Sequence, residues 1–364
     1  MKPTILATTA LFSLALALPT HAADPAAASE PAETGEEITI IATRNPVPAF
    51  DYAGSVSVID LADIDDQLAS SIADLFDAEP GLQFSGGPRR TGAIPAIRGI
   101  EGEGVVILYD GVRQSFISGH DGRFFIEPDL VARAEVVRGP SSALYGSGAL
   151  GGVIALETLD AGDLLGDGET FGYRLGAGYQ DVNGESRYSG ALFGRSADGR
   201  LDGLAALTRR NSGDISLGND TVLAADDAIT SGLLKGSIQL TDALEIEAGW
   251  TGYDGSAEEP NNGQSVNTGD LVDKTILSSN YRGAVTYAPT NSRWIDAGLI
   301  VYAGDTSVDE AELDSDREIG RQVESIGLAF DNRSRFSLFP NAELTLTYGG
   351  EYYEDEQTGT DNET

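Results

Sequence analysis

LYDGVRQ (Leu108–Gln114), followed after a short interval by EVVRGPSSALYGSGALGGVIALET (Glu135–Thr158), decides the reading of this chain. Asp110-Gly111 lies between the apolar run VVILY and VRQ, which predicts a tight hairpin turn. Ala134–Arg138 predicts a strand, Pro140–Tyr145 a single helical turn opened by proline, and Val153–Glu157 a second strand. The glycines between them admit positive φ and close backbone approach.

Outward from this block, Asp51 to about Gly162 predicts a compact α+β unit. Ser55–Ile59 alternates as a strand, and Asp60 caps a short helix running to Gln67. Ser70 or Ser71 caps a second helix to Ala78, which Pro80-Gly81 stops. Pro95–Arg98 and Val105–Tyr109 predict further strands, and Glu127-Pro128 opens another short helix.

From Phe171 the pattern changes to period two. Phe171, Tyr173, Leu175, Ala177 and Tyr179 share one face, while Gly172, Arg174, Gly176 and Gly178 share the other. Similar segments recur at Arg187–Arg195, Leu201–Arg210, Gly232–Leu240, Leu244–Tyr253, Tyr281–Tyr287, Trp294–Ala303, Val323–Phe330 and Glu343–Tyr352. The intervals, such as Asp254–Asp270, are rich in Asp, Asn, Gly and Ser, and Glu351–Thr364 reads as an acidic loop. This is the pattern of transmembrane β-hairpins. Trp250, Tyr253, Trp294 and Tyr302 fall where interfacial aromatic girdles belong. A soluble β-sandwich is the rival, and the small residues opposite the aromatic face argue against it.

At the other end of the chain, Lys2, the apolar run Leu6–Leu18 and the small residues around Thr20-His21-Ala22 predict an export signal, 1–22. The run is too short for a spanning helix. Residues 23–50 form an Ala/Pro/Glu-rich lead that ends in the β-prone segment EITIIATR. The chain has 364 residues and no cysteine, hence no disulfide or thiolate chemistry. A net charge of −35 excludes nucleic acid as partner.

The DGVR turn, the EVVRGPSSALYG core and the GALGGVI strand, in this order, resemble the plug domain of TonB-dependent outer-membrane receptors. The resemblance implies an α+β plug (51–162) followed by an antiparallel transmembrane β-barrel (163–364) in a Gram-negative outer membrane. Nine candidate strands are too few to enclose a plug, since barrels of about 8 strands are filled by their own side chains and plugged transporters use about 22. The sequence therefore reads as the N-terminal part of a longer receptor with an incomplete barrel. Ile38, Thr39, Ile40, Ile41, Ala42 and Thr43 then look like a TonB box, pairing by strand addition with a periplasmic energy-transducing partner. The resemblance also sets Arg98 and Arg138 as plug–barrel contacts against acidic lumen residues.

DGVRQ followed by GHDGRFFIEPDLV looks like the haem and haemoglobin receptor branch. A lone histidine in a glycine-rich loop ordinarily reads as a surface residue. The resemblance instead makes His120 an axial ligand of haem iron, a role imidazole suits. A second axial ligand would lie beyond Thr364, be a tyrosine, or not exist. Phe116, Phe124 and Phe125 are either porphyrin contacts or plug core. Arg123 and Arg113 are candidates for haem propionates, with structural pairing as the alternative and the favoured one for Arg113. Cargo is haem or haem from a carrier protein. The alternatives are a ferric siderophore or cobalamin on the same scaffold, and a surface receptor that does not transport.

No enzyme reading survives. Gly146–Gly151 satisfies G-x-G-x-x-G, but a helical turn precedes the glycines and a β-branched run follows, the reverse of a dinucleotide site. No G-x-S-x-G or H-E-x-x-H occurs, and with the export signal and its His21 removed a Ser-His-Asp site would have to be built on His120.

Overall fold

The computed structural model describes residues 39–40, 47–48, 52–87, 89–263, 270–339 and 342–363. The export signal and all of the candidate TonB box except Thr39 and Ile40 lie outside them. Those two form β1 (Thr39–Ile40), antiparallel to β2 (Val47–Pro48).

The plug begins with β3 (Ser55–Ile59) and α1 (Leu61–Gln67). Asp60 caps α1 by accepting from the Asp63 N–H at 3.0 Å, as its position predicts. The expected second helix is instead a single 3-10 turn at Asp74–Phe76. Here Asp74 caps from within the turn, its carboxylate accepting from the N–H groups of Ser70 and Ser71 at 2.8 and 2.9 Å. Short β4 (Leu82–Ser85) and β5 (Ile94–Ile97) pair with each other. Next come β6 (Val105–Tyr109), β7 (Val112–Arg113), β8 (Val131–Arg138), α2 (Ser142–Tyr145), β9 (Gly152–Thr158) and α3 (Ala161–Leu164).

The main plug sheet has the order β3-β8-β9-β6-β7, with β6 and β9 parallel. Asp110 and Gly111 both take positive φ, 47° and 79°, so the β6–β7 hairpin turns as the Asp-Gly pair requires. Ile107, Val136 and Ile154 lie on the three adjacent central strands and are fully buried. They anchor a core that includes Leu75, Phe76, Ile97 and Leu130. Gly152 sits at φ +150°, where a Cβ would stand 2.1 Å from the Val137 carbonyl, so only glycine lets β9 close on β8.

Nine long strands follow: β10 (Phe171–Gln180), β11 (Glu185–Arg195), β12 (Leu201–Ser212), β15 (Asp226–Thr241), β16 (Leu244–Pro260), β17 (Leu271–Tyr287), β18 (Ala297–Glu312), β19 (Glu318–Phe339) and β20 (Ala342–Asp361). A two-residue pair, β13 (Ile215–Ser216) and β14 (Val222–Leu223), ornaments the β12–β15 loop. The nine form one antiparallel barrel sheet in chain order, with β10 and β20 at its edges. Phe171, Tyr173, Leu175 and Tyr179 all face outward, 66–78% exposed, as period two predicts.

Two expectations are corrected. The strands run well past the apolar zone, so 254–260 and 351–361 are strand and not loop. Backbone pairing continues there between polar residues, where hydropathy gives no signal. Tyr253 and Tyr302 are not girdle residues: they point inward and are buried at 6% and 7%. Tyr253 lies an odd number of residues from Trp250, hence on the opposite face.

Candidate functional site

Beyond β7 the plug chain runs through 115–127 without regular structure and builds an apex. Ser118 Oγ donates to the Asp121 carboxylate at 2.7 Å and accepts from the N–H groups of His120 and Asp121 at 3.2 and 3.3 Å. That closes a small turn with His120 exposed at its tip. The barrel holds this turn from two directions. The Gly263 N–H donates to the His120 carbonyl at 3.1 Å, and Gln357 Nε2 donates to the Ile117 carbonyl at 3.4 Å. Gly122 donates to the Thr91 carbonyl, and a Cβ on it would lie 2.8–3.0 Å from the backbone of Thr91 and Ala93.

The apex stands at the barrel end where β10 leads to β11, β12 to β15, β16 to β17 and β18 to β19. Arg89 Nε reaches the carbonyl of Ala224 at 2.7 Å, and Gly263 touches His120, which ties the apex to two of those connections.

Buried charge binds plug to barrel beneath the apex. Asp121 and Lys274 are fully buried, 2.8 Å apart, and Lys274 Nζ also meets Glu259 at 2.8 Å and Glu310 at 3.1 Å. Arg321 reaches Asp121 at 3.3 Å and Glu310 at 2.9 Å, and Thr91 bonds Glu259. A second cluster joins Arg90 to Glu185 and Asp227, and Arg210 to Glu127 and Glu185. Burial raises the Glu127 carboxyl above its ordinary range, and the neighbouring Arg210 and Arg90 pull it back only in part. Farther along the plug, Lys235 bonds Asp110 and the Thr158 carbonyl at 3.4 and 3.1 Å, and Arg113 meets Glu351 and stacks 4.7 Å over the Tyr353 ring.

Apolar contact is also present. Phe116 and Phe125 pack against Ile229, Tyr253, Ile276, Val308 and Val323 of the barrel wall.

The remaining sequence candidates are distributed differently from the expectation. Arg123 is 5% exposed, and its Nη1 donates to the carbonyls of Gly102 and Val105 at 2.6 and 2.9 Å. Burial lowers its guanidinium to about 10. It braces the plug and does not face the apex. Phe124 joins the plug core beside Phe84, ring centroids 5.8 Å apart, whereas Phe116 packs in the plug–barrel contact. Arg138 binds Glu79 at 2.7 Å and Ser57 at 2.9 Å, both plug residues and not lumen acids. Arg98 is exposed, in the left-handed region at φ 53°, its N–H donating to Gly81. Plug–barrel ion pairs among the described residues include those of Asp65, Arg90, Asp110, Arg113, Asp121, Glu127 and Asp129. Four of their barrel partners, Arg174, Arg187, Arg210 and Lys235, lie within the strand segments that the sequence predicts, and Glu185 and Lys274 lie outside them; no local pattern shows which plug residue each charge meets.

A small α+β domain thus sits against the inner face of an antiparallel barrel sheet, secured by buried charge. Residues 48–153 match the family model "TonB-dependent Receptor Plug Domain". The chain belongs to the TonB-dependent receptors. This receptor is 34% identical to a hemin receptor of Yersinia pestis over 94% of its own length and 51% of the relative's. It is 39% identical to a heme/hemopexin utilization protein C of Haemophilus influenzae over 43% of this chain and 21% of that protein. It therefore spans about half the length of the hemin receptor it matches. Among solved structures, the Serratia marcescens hemophore receptor HasR, in complex with its hemophore HasA and heme, superposes with TM-score 0.77 at 25% identity. The match covers 86% of this chain and 46% of HasR. The FrpB iron transporter of Neisseria meningitidis shares the fold, with TM-score 0.74 at 23% identity over 85% of this chain and 49% of that one.

Proposed function

We propose that this chain serves energy-coupled uptake of haem, free or delivered by a carrier protein, across a Gram-negative outer membrane, with residues 1–22 as a cleaved export signal. The observation that carries the reading is the exposed His120, held at the plug apex against Gly263 just beyond β16. The 34% identity to a hemin receptor over 94% of the chain supports the cargo.

The chain's residues then divide the work. His120 meets haem at the apex as one axial ligand through its imidazole. The buried ion pairs hold the plug while leaving a polar boundary along which it can be displaced. Residues Ile38 to Thr43 are the candidate segment for strand pairing with a TonB-type partner in the periplasm. Beyond this reversible ligation the cargo undergoes no covalent chemistry, so no catalytic residue is assigned.

An absorbance titration of the detergent-purified receptor with hemin, wild type against His120→Ala, tests the cargo. Loss of the imidazole-ligated spectrum and of haem-dependent growth is expected. Unchanged binding and growth would transfer the reading to a ferric siderophore or cobalamin. Deleting Ile38 to Thr43 should abolish uptake while sparing binding; a surface receptor that does not transport would keep full function.

A further inference from the structure

We propose that Asp121 is a positioning residue for His120: its carboxylate tethers the apex turn to a row of alternating charges on the barrel wall. This rests on the haem reading above. The row takes one residue from each of four neighbouring strands: Glu259 of β16, Lys274 of β17, Glu310 of β18 and Arg321 of β19. Lys274 and Glu310 are register partners. Glu259 stands two residues from Ala257, the β16 partner of Lys274, and Arg321 pairs with Val308, two residues from Glu310. A period of two therefore puts all four on the inner face, negative, positive, negative, positive in order.

That row is balanced within the barrel. Asp121 adds a fifth charge from the plug and seats between the two cations, one oxygen on Lys274 at 2.8 Å and the other on Arg321 at 3.3 Å. It neighbours His120 in the chain, and Ser118 Oγ bonds the same carboxylate at 2.7 Å. The turn that carries the imidazole is therefore located by a fully buried ion pair 153 residues away in sequence. Groups that orient a ligating histidine from behind govern affinity without touching the cargo.

Asp121→Asn is the informative change. It keeps the side-chain shape and leaves the barrel row charge-balanced, so the barrel's own strands lose no partner. The receptor, extracted from the outer membrane in detergent, would be titrated with hemin and followed by Soret absorbance and electron paramagnetic resonance. Asp121→Asn should weaken hemin binding about tenfold and replace one spin-state signature by a mixture, at an unchanged melting temperature of the barrel. Ser118→Ala, which leaves every charge in place, should move both readouts the same way by a smaller amount. If His120→Ala loses the signature while both of these variants keep wild-type affinity and spectrum, the positioning role is overturned and the haem reading stands. If His120→Ala also keeps them, the haem reading falls and this proposal falls with it.

Discussion

The backbone of Gly263, in the hairpin loop between β16 and β17, donates to the carbonyl of His120, and the same glycine packs against Gly92 of the plug. A Cβ on Gly92 would stand 2.5 Å from the Gly263 carbonyl oxygen. Two glycines thus permit the barrel loop to close over the plug beside the candidate ligand. Gly92→Ala should drive Gly263 and the loop it belongs to away from the plug, at a cost of about 1–3 kcal/mol. Limited proteolysis should then cut that loop faster than in wild type, and equal cleavage rates would contradict the contact.

Ile154 is fully buried at the centre of the plug sheet, between Ile107 and Val136 in register. Ile154→Ala leaves a cavity that rigid strands on both sides cannot fill, a loss of about 2–5 kcal/mol. Hydrogen exchange of the β6, β8 and β9 amides reads plug stability inside the intact barrel. Acceleration there, with barrel amides unchanged, is the expected result.

The two kinds of plug–barrel ion pair should respond unequally. Glu127 and Arg210 are buried at 2.6 Å, whereas Arg174 and Asp65 form an exposed pair. Glu127→Gln leaves the Arg210 charge buried with reduced compensation and should cost about 3–5 kcal/mol. Arg174→Ala should cost under about 1 kcal/mol and less still at high salt. Urea unfolding of the plug, compared between the two variants, distinguishes them; equal losses would refute the assignment of the anchor to the buried cluster.

Glu157 on β9 gives the plug a pH dependence. Burial raises its carboxyl to about 7, with the nearby Glu135 pushing the same way and Arg133 opposing. Between its ordinary 4.5 and about 7 the unfolded chain has released this proton while the folded plug retains it. Its contribution to stability therefore falls as pH rises through that window, by about 3 kcal/mol in all. Glu157→Gln should remove the loss and leave the plug more stable than wild type at pH 8, with little difference at pH 4. A wild-type plug whose unfolding showed no such fall would exclude it.

What neighbouring residues dictate was legible in the sequence. Ser55–Ile59 and Val105–Tyr109 are strands with the predicted bounds, α1 ends at Gln67 after its Asp60 cap, and Asp110-Gly111 makes the predicted turn. Nine outward-patterned strands were readable because lipid-facing side chains must alternate with inward ones. Each of these features is fixed by chemistry within a few positions.

The anchoring of the plug was not legible, because it depends on partners that only folding brings together. Asp121 finds Lys274, Arg90 finds Glu185 and Asp227, and Arg138 turns to Glu79, through strand registers that no local pattern encodes. Tyr253 needed only its parity to be placed inward, but its contact with Phe125 required the plug to be docked. The sequence by itself determined where the apolar part of each strand lies, which segment turns tightly at Asp110-Gly111, and that one histidine stands in a glycine-bounded loop. Only the tertiary structure decided which charges that loop rests upon. A buried ion pair is selected by three-dimensional proximity and desolvation, and neither leaves a periodic trace along the chain.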